Sequence, residues 1–378
     1  MADAEQRSLL LSGVADWNVW RETHAGVPVD LTGANLRGTN LSGANLAGAD
    51  LTGALLFKTN LSGANLTEAA LTEAKLFGAN LTGANLTGVN LDEAILDGAI
   101  LAEAVLSRVD LAHRNLSRAR LTGAVLTEAD LSGANLERAN LSGAILSGAT
   151  LVRANLIGAL LARADLHDAD LSRVNFSGAT LSSADLARAT LDEANLYGAT
   201  LDEANLDGAT LNGAILSRAN LQQATLNGAR LNKAFLDEAN LTDAVLAEAS
   251  LSKADLDGAV LARTNLARAN LAGTNLAERD LIGVILAGAI LHNANLARAN
   301  LAEADVQEAN LTGANLTGAI LARANFAGAN LAEATLHDIQ HWHEVTSYKD
   351  TNIYMVQDPP RDFFFFARSK GAVENPPS

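Results

Sequence analysis

The chain of 378 residues has no cysteine, which excludes disulfides, thiolate metal sites and cysteine nucleophiles together. Proline is nearly absent as well: there are 5, and none falls between Leu31 and Gln340. No segment offers the ~18 consecutive apolar residues that a membrane-spanning helix requires, so no membrane partner is expected. The first residues, MADAEQRSLLLSGVADW, carry acids early and lack a basic stretch followed by a long apolar core. That is not the pattern of a secretory leader, and a cytoplasmic location is the expectation. Aromatic residues make up only 4% of a chain that is 48% hydrophobic. The formal net charge is −16, yet a mean hydropathy of +0.11 is too high for a disordered acidic chain. Length alone suggests two or three domains.

What is present is one unit repeated. From Leu31 to Gln340, 310 residues divide into 62 pentapeptides of the form L-[ST/A]-x-A-[ND] without insertion or deletion. The first position is Leu in 59 copies, with Phe176, Val306 and Phe326 as exceptions. The fourth is Ala in 51 copies and otherwise small or β-branched, as at Thr39, Val89 and Ile339, except for Arg114 and Arg279. The scarcity of rings and the abundance of apolar residues are both consequences of these Leu and Ala slots.

A period of five fits neither an amphipathic helix nor a long alternating strand. Ala and the following Leu, two apart, share one face of a short extended segment, while the intervening Asn or Asp and the next two residues point outward. Asn, Asp, Ser and Gly at those positions are turn formers that bond the local backbone. Each pentapeptide therefore reads as a very short strand and a corner, and stacked copies form a solenoid with a dry Leu interior. On these residues the sequence resembles the pentapeptide-repeat family, whose motif is A-[DN]-L-x-x, over roughly four fifths of the chain. The resemblance implies an all-β solenoid, a right-handed quadrilateral β-helix with four pentapeptides per coil. Recurrences at 20-residue spacing agree with such a coil: Phe57 and Phe77, Val105, Val125 and Ile145, Thr180 and Thr200, Thr190 and Thr210. About 15 coils at ~4.8 Å give a stack on the order of 75 Å long.

Open solenoid ends must be blocked against edge-to-edge pairing. The expected organisation is an N-terminal helical cap over 1–30, the β-helix over 31–340 and a C-terminal cap with a short helix over 341–378. At the N-terminus, Leu10, Val14, Trp17 and Trp20 have helical spacing, which predicts one short helix within residues 8–24. In the tail, Asp358 before Pro359 and Pro360 is a helix start signal and Gly371 a stop. Asn352, Ile353, Val356, Pro360, Phe363, Gly371 and Ala372 resemble a C-terminal cap found in some members of the family. Four successive phenylalanines, Phe363 to Phe366, cannot share one helix face. With Phe363 and Phe366 on the last coil, Phe364 or Phe365 is left exposed, either for a homodimer through the C-terminal cap or beneath the rest of the tail.

A core of stacked Leu and Ala leaves no cavity for substrate, so any site must be on an outer face, an end or the tail. No hydroxyl stands out beside a histidine, and no glycine-rich phosphate loop occurs, so no catalytic residue, enzyme activity or cofactor is assigned. His337, His341 and His343, near Asp338 and Glu344, form either a metal set or the polar edge of a cap, and no metal is assigned. Arg114 and Arg279 occupy the small inward slot, where an unpaired guanidinium is costly. Asp110 and Asp280 are the nearby carboxylates; a local bulge that lets Arg reach solvent is the alternative to a role in binding a partner. The candidate interaction residues are Phe57 and Phe77, expected as an exposed aromatic stack, and Val105, Val125 and Ile145, expected with Ile95 and Ile100 as a β-branched patch over successive coils. Phe364 and Phe365 complete the set.

Some relatives that share the motif act on type II topoisomerases as negatively charged mimics of DNA. The repeat block carries 33 acidic and 21 basic residues, a net charge of −12. A duplex of equal length would carry about 44 phosphates at one per ~1.7 Å. The acidic cluster Asp192, Glu193, Asp202, Glu203 and Asp207 is the strongest local match, but bases are interspersed throughout, and no basic stripe suggests direct nucleic-acid binding. The expectation is a non-enzymatic protein-interaction scaffold with an unidentified protein partner, and a gyrase-modulating DNA mimic is the alternative.

Overall fold

The computed structural model describes residues 2–376. They form two compact units, 1–190 and 191–378, and each is built as a right-handed quadrilateral β-helix. With few exceptions a pentapeptide contributes one bridge residue, the Asn or Asp position, which pairs in parallel with the residue 20 further on: Asn40 with Asn60, and Asn60 with Asn80. One rung shows how the backbone is satisfied. Leu41 N donates to Asn60 O at 2.7 Å, Asn60 N to Thr39 O at 2.9 Å, and Ala44 N closes the turn on Leu41 O at 3.1 Å. The bridge side chain adds an Asx turn, as when Asp30 Oδ1 accepts from Thr32 N at 3.0 Å. Asparagines also bond up the stack: Asn60 Nδ2 donates to Asn40 Oδ1 at 2.9 Å and Asn80 Nδ2 to Asn60 Oδ1 at 3.1 Å. This double use explains why Asn and Asp dominate a position whose side chain faces outward.

The Leu and Ala slots line the interior of both units and are almost without solvent contact. Burying each Leu contributes about 1.5–3 kcal/mol, a part of what offsets ordering its five residues at about 1–2 kcal/mol each; the Ala slot, packing and the turn and bridge bonds add to it. Phe176 fills a Leu slot in the first unit and Phe326 another in the second, both fully buried. Where Thr takes the Ala slot, its hydroxyl is bonded: Thr59 Oγ1 donates to Leu36 O at 2.7 Å and Thr264 Oγ1 to Leu261 O at 2.8 Å. The corner residue two after Leu is left-handed, with φ near +60°, whether it is Gly33 or a charged residue such as Glu73 or Arg153. For a non-glycine residue that conformation costs about 1–2 kcal/mol, so the ladder holds many corners in a conformation they do not prefer.

The N-terminal cap differs from the single helix expected over residues 8–24. Two helices form, α1 over Ala4–Ser12 and α2 over Val14–Thr23, divided at an extended Gly13. Asp3 caps α1 by accepting from Glu5 N and Gln6 N. The caps work by supplying side-chain amides and donors where a preceding coil would have supplied backbone. Gln6 donates to Pro28 O and accepts from Asp30 N, both at 2.9 Å. On α2, Trp17 Nε1 donates to Asn45 O at 2.9 Å, Arg21 to Ala47 O at 2.6 Å, and Asn18 accepts from Asn45 N at 2.8 Å. The first edge is thereby closed to another chain.

At the other end, bridge pairing continues beyond Gln340. Asn325 pairs with Ser347, Asn330 with Asn352 and Thr335 with Gln357, an offset of 22 in place of 20. The two extra residues are taken up around a 3-10 turn at Trp342–Glu344. The last helix, α3, spans Phe363–Ser369; it starts after the expected Asp358-Pro359-Pro360 signal because Asp362 is left-handed, with φ 66°. Phe363 N bonds Pro360 O, so the prolines form the turn that precedes α3. Trp342, Tyr348, Phe363 and Phe366 cluster with ring centroids 5.3–6.4 Å apart, and Tyr348 lies 6.0 Å from the core ring of Phe326. Burial pushes the Tyr348 phenol well above its usual range. Gly371, at φ +95°, lets the tail turn back so that Ile353 N reaches Val373 O; a Cβ there would meet Lys349 Cα at 3.2 Å.

The two arginines in the Ala slot leave a common mark. Arg114 reaches Asp92 at 3.2 Å and Arg279 reaches Asp257 at 3.3 Å, with side chains only 21% and 17% exposed. Asp110 and Asp280, the partners expected from sequence, are instead occupied as Asx caps of Ala112 N and Ile282 N. Among the described residues no bridge joins Asn90 to Asp110, Ile95 to Asn115, Asp255 to Asn275 or Val260 to Asp280. These are the rungs beside the two arginines; a guanidinium in a slot sized for a methyl group holds two sides of the coil apart. Arg114→Ala should therefore restore the rung and contribute about 1 kcal/mol for each recovered backbone bond. Amide exchange at Asp110 and Asn115, expected to be faster than at Arg120 and Val125 in the native chain, should slow in the variant. Unchanged exchange would reject the wedge.

Candidate functional site

The interiors of both units are filled, and hollows on the described surface lie between successive corners, such as the one lined by Arg268, Gly288, Gln307 and Glu308, and against the N-terminal helices, such as the one lined by Glu5, Leu9, Trp20 and Val27. What can be recognised is therefore the pattern of outward side chains. Because residue i stacks on residue i+20, outward positions form columns, and sequence neighbours five apart lie on different sides of a coil.

That rule corrects the patch expected from sequence. Ile95, Ile100 and Val105 sit on three successive sides: Ile95 bridges Lys75, while Ile100 bridges Asn80 and Arg120. Val105, Val125 and Ile145 do form one column, bridged in order, and Ile145 is 38% exposed. At each of the three, the Asx bond that Asn or Asp would make is given up for apolar surface. The second unit has a column that the sequence reading missed, with Ile215 bridged to Phe235 and both exposed. Its signal was available, since the two residues are one coil length apart.

Phe57 and Phe77 are one coil apart on one side, but no ring contact joins them among the described residues. Arg37 covers the Phe57 ring at 5.0 Å, and Phe77 is 44% exposed. In the tail, Phe363 is buried, Phe364 is half-buried between Phe363 and Arg368, and Phe365 is 80% exposed.

Several corner side chains pair with an opposite charge one coil away. Arg108 meets Glu128 at 2.7 Å, Arg188 meets Asp168 at 2.6 Å, Arg218 meets Glu238 at 2.9 Å and Arg263 meets Asp243 at 2.6 Å. Arg298 pairs with Glu278 at 3.1 Å, and Arg323 with Glu303. Hydrogen bonds from Arg188 and Arg263 hold the Asp168 and Asp243 carboxyls below the usual range. The acidic cluster of Asp192, Glu193, Asp202, Glu203 and Asp207 belongs to three different sides of one coil, so it forms no stacked stripe. Asp192 and Asp207 accept backbone bonds from Asn212 and Asn227.

Of the histidines near the C-terminal cap, His341 and His343 both approach Glu344 Oε1, the latter at 3.8 Å, while His337 turns to another carboxylate. His337 pairs with Asp338 at 3.1 Å, and His341 with Glu344 at 2.8 Å, a bond that lowers the Glu344 pKa. A different group brings ligand atoms together: Asp165, His167 and Asp185, all within 4.8 Å of one another. His167 was not singled out from sequence. Its signal was also available, as a D-x-H followed by Asp at the expected coil length of 20 residues.

The family model described as pentapeptide repeats (8 copies) matches successive segments from residue 29 to residue 340. Among solved structures, HetL from the cyanobacterium Nostoc sp. strain PCC 7120, a protein involved in heterocyst differentiation regulation, is 37% identical, covering 63% of this chain and 89% of its own, with a TM-score of 0.26. Full-length QnrB1, a plasmid-mediated fluoroquinolone resistance protein, is 18% identical, covering 50% and 89%, with a TM-score of 0.24. Rfr23 from the cyanobacterium Cyanothece 51142 is 32% identical over 35% of this chain and 58% of its own, with a TM-score of 0.13. No curated protein matches the sequence. No described helix is long and apolar enough to cross a membrane.

The paired corners give a pH signature. A carboxyl depressed by its arginine supports the fold above its ordinary titration range, near pH 4, and that support is lost as pH falls through the lower, folded value. In a carboxyl-carbon NMR titration Asp168 and Asp243 should titrate below ordinary aspartates. Arg188→Gln should return Asp168 toward the ordinary value and leave Asp243 in place; an unmoved Asp168 would contradict the pairing.

Proposed function

The chain belongs to the pentapeptide-repeat family, and on that premise we propose that it is a non-enzymatic protein-interaction scaffold that binds a protein partner along the Val105–Val125–Ile145 column. The observation that carries this reading is the exchange made at those three positions. An outward bond worth about 1 kcal/mol is given up on three consecutive coils of one side in favour of accessible apolar surface. A filled interior supports binding over catalysis, since side chains held on a rigid ladder present a fixed pattern to another surface. The Arg side chains interspersed among the acids, many paired with an Asp or Glu one coil away, weigh against imitation of DNA, because they break up the negative surface. The exposure of Phe365 supports a second contact, between the α3 helices of two chains.

Val125→Glu with Ile145→Glu should abolish capture of the partner from a lysate of the native cell while leaving thermal unfolding unchanged, because neither side chain belongs to the core. Retained capture would move the contact elsewhere. In a gyrase supercoiling assay micromolar protein should have no effect, and inhibition would favour the DNA-mimic reading. Light scattering should give a dimer mass for the native chain and a monomer mass for Phe364→Glu with Phe365→Glu; equal masses would reject the tail contact.

A further inference from the structure

Asp165 and Asp185 are bridge partners on adjacent coils, so the ladder fixes their backbones one rung apart. Their side chains are held as well: Asp165 Oδ1 accepts from His167 N at 3.2 Å, and Asp185 Oδ1 from Ala187 N at 3.0 Å. His167 Nδ1 lies 2.5 Å from Asp165 Oδ1, and the three ligand atoms are all within 4.8 Å of each other. Each of the three residues is half-buried. We propose that Asp165, His167 and Asp185 form a binding site for one divalent late first-row transition cation such as zinc.

Three arguments carry the assignment. Two carboxylates with a neutral imidazole would neutralise a dication. The other bridged acid pairs, Asp30 with Asp50 and Asp110 with Asp130, bring no imidazole into the same sphere; among the described residues this is the one group of three convergent ligands. Nitrogen in the donor set selects zinc, cobalt or nickel over calcium and magnesium, which take oxygen ligands. Zinc bonds of about 2.0–2.2 Å place ligand atoms roughly 3.3 Å apart in a tetrahedron, so the side chains need only small rotations to close on an ion. With three protein ligands on a half-exposed face, the fourth position falls to water or to a group from outside, the arrangement of an open site. Ile145 bridges Asp165, which puts the site at the end of the apolar column. The assignment does not depend on that column's role.

The test is calorimetric titration of zinc chloride into the full-length, untagged chain. Its lack of cysteine leaves the other histidines as the main competing ligands. One equivalent with micromolar affinity is expected, weakened at least about tenfold in His167→Gln and in Asp185→Asn. It should be unchanged in His337→Ala with His341→Ala and His343→Ala. His167→Gln keeps a hydrogen-bonding side chain beside Asp165, and an unchanged unfolding temperature shows that the fold is intact. Cobalt should give a d–d absorption band that disappears in the same variant. Absence of binding at millimolar zinc, full binding in His167→Gln, or loss of the equivalent in the triple variant would overturn the site.

Discussion

The parallel backbone bridge between residue i and residue i+20 is the constraint from which the rest follows. It requires every coil to have the same length, because one extra residue would turn the Leu and Ala faces away from the interior of that coil. The 62 pentapeptides run without insertion for that reason. Where the offset does change, to 22, the chain needs a 3-10 turn to absorb the difference and leaves the repeat within one coil. The bridge also dictates side-chain chemistry. Leu fills the interior, Ala keeps the neighbouring slot narrow, and Asn or Asp completes the local turn. Charged residues tolerate a left-handed corner because the ladder on either side fixes it.

The same regularity explains how charge and apolar surface are distributed. Arg and Glu or Asp one coil apart are brought side by side at several corners, which places opposite charges in contact along a chain of net charge −16. Apolar residues become a surface only when they recur at 20, as Val105, Val125 and Ile145 do. Scattered at five, as Ile95 and Ile100 are, they remain isolated on different sides.

Most of the architecture was legible in the sequence because each pentapeptide states the inward and outward position of its residues independently. Leu and Ala placed the core, and Phe363 was recognisable as a cap residue from its position in the tail. The two-helix N-terminal cap was not legible: Gly13 within an otherwise helical pattern does not announce a break, and the pairing of Gln6, Trp17, Asn18 and Arg21 with the first coil depends on an edge that exists only after folding. The partners of Arg114 and Arg279 were missed for a related reason. Asp110 and Asp280 are near in sequence but already serve their own turns, whereas Asp92 and Asp257 are brought near by the coil beneath. The Asp165, His167 and Asp185 group follows from the same 20-residue register, but among many outward acids nothing in the sequence singles out the one pair that a histidine joins.

The arginine-bearing rungs also bear on how each unit would respond to force. At the other described coils within each unit a coil is held to the next by bridges on all its sides and must lose them together, so resistance is shared. Between the coils that carry Asn90, Ile95, Asp110 and Asn115, and again between those that carry Asp255, Val260, Asn275 and Asp280, two of the bridging sides are already open. Tension along the stack would concentrate there, and each unit would part first at its arginine. Its tensile limit would then be set by the two sides still bridged there, such as Asn85 with Val105 and Ile100 with Arg120, together with one guanidinium–carboxylate pair.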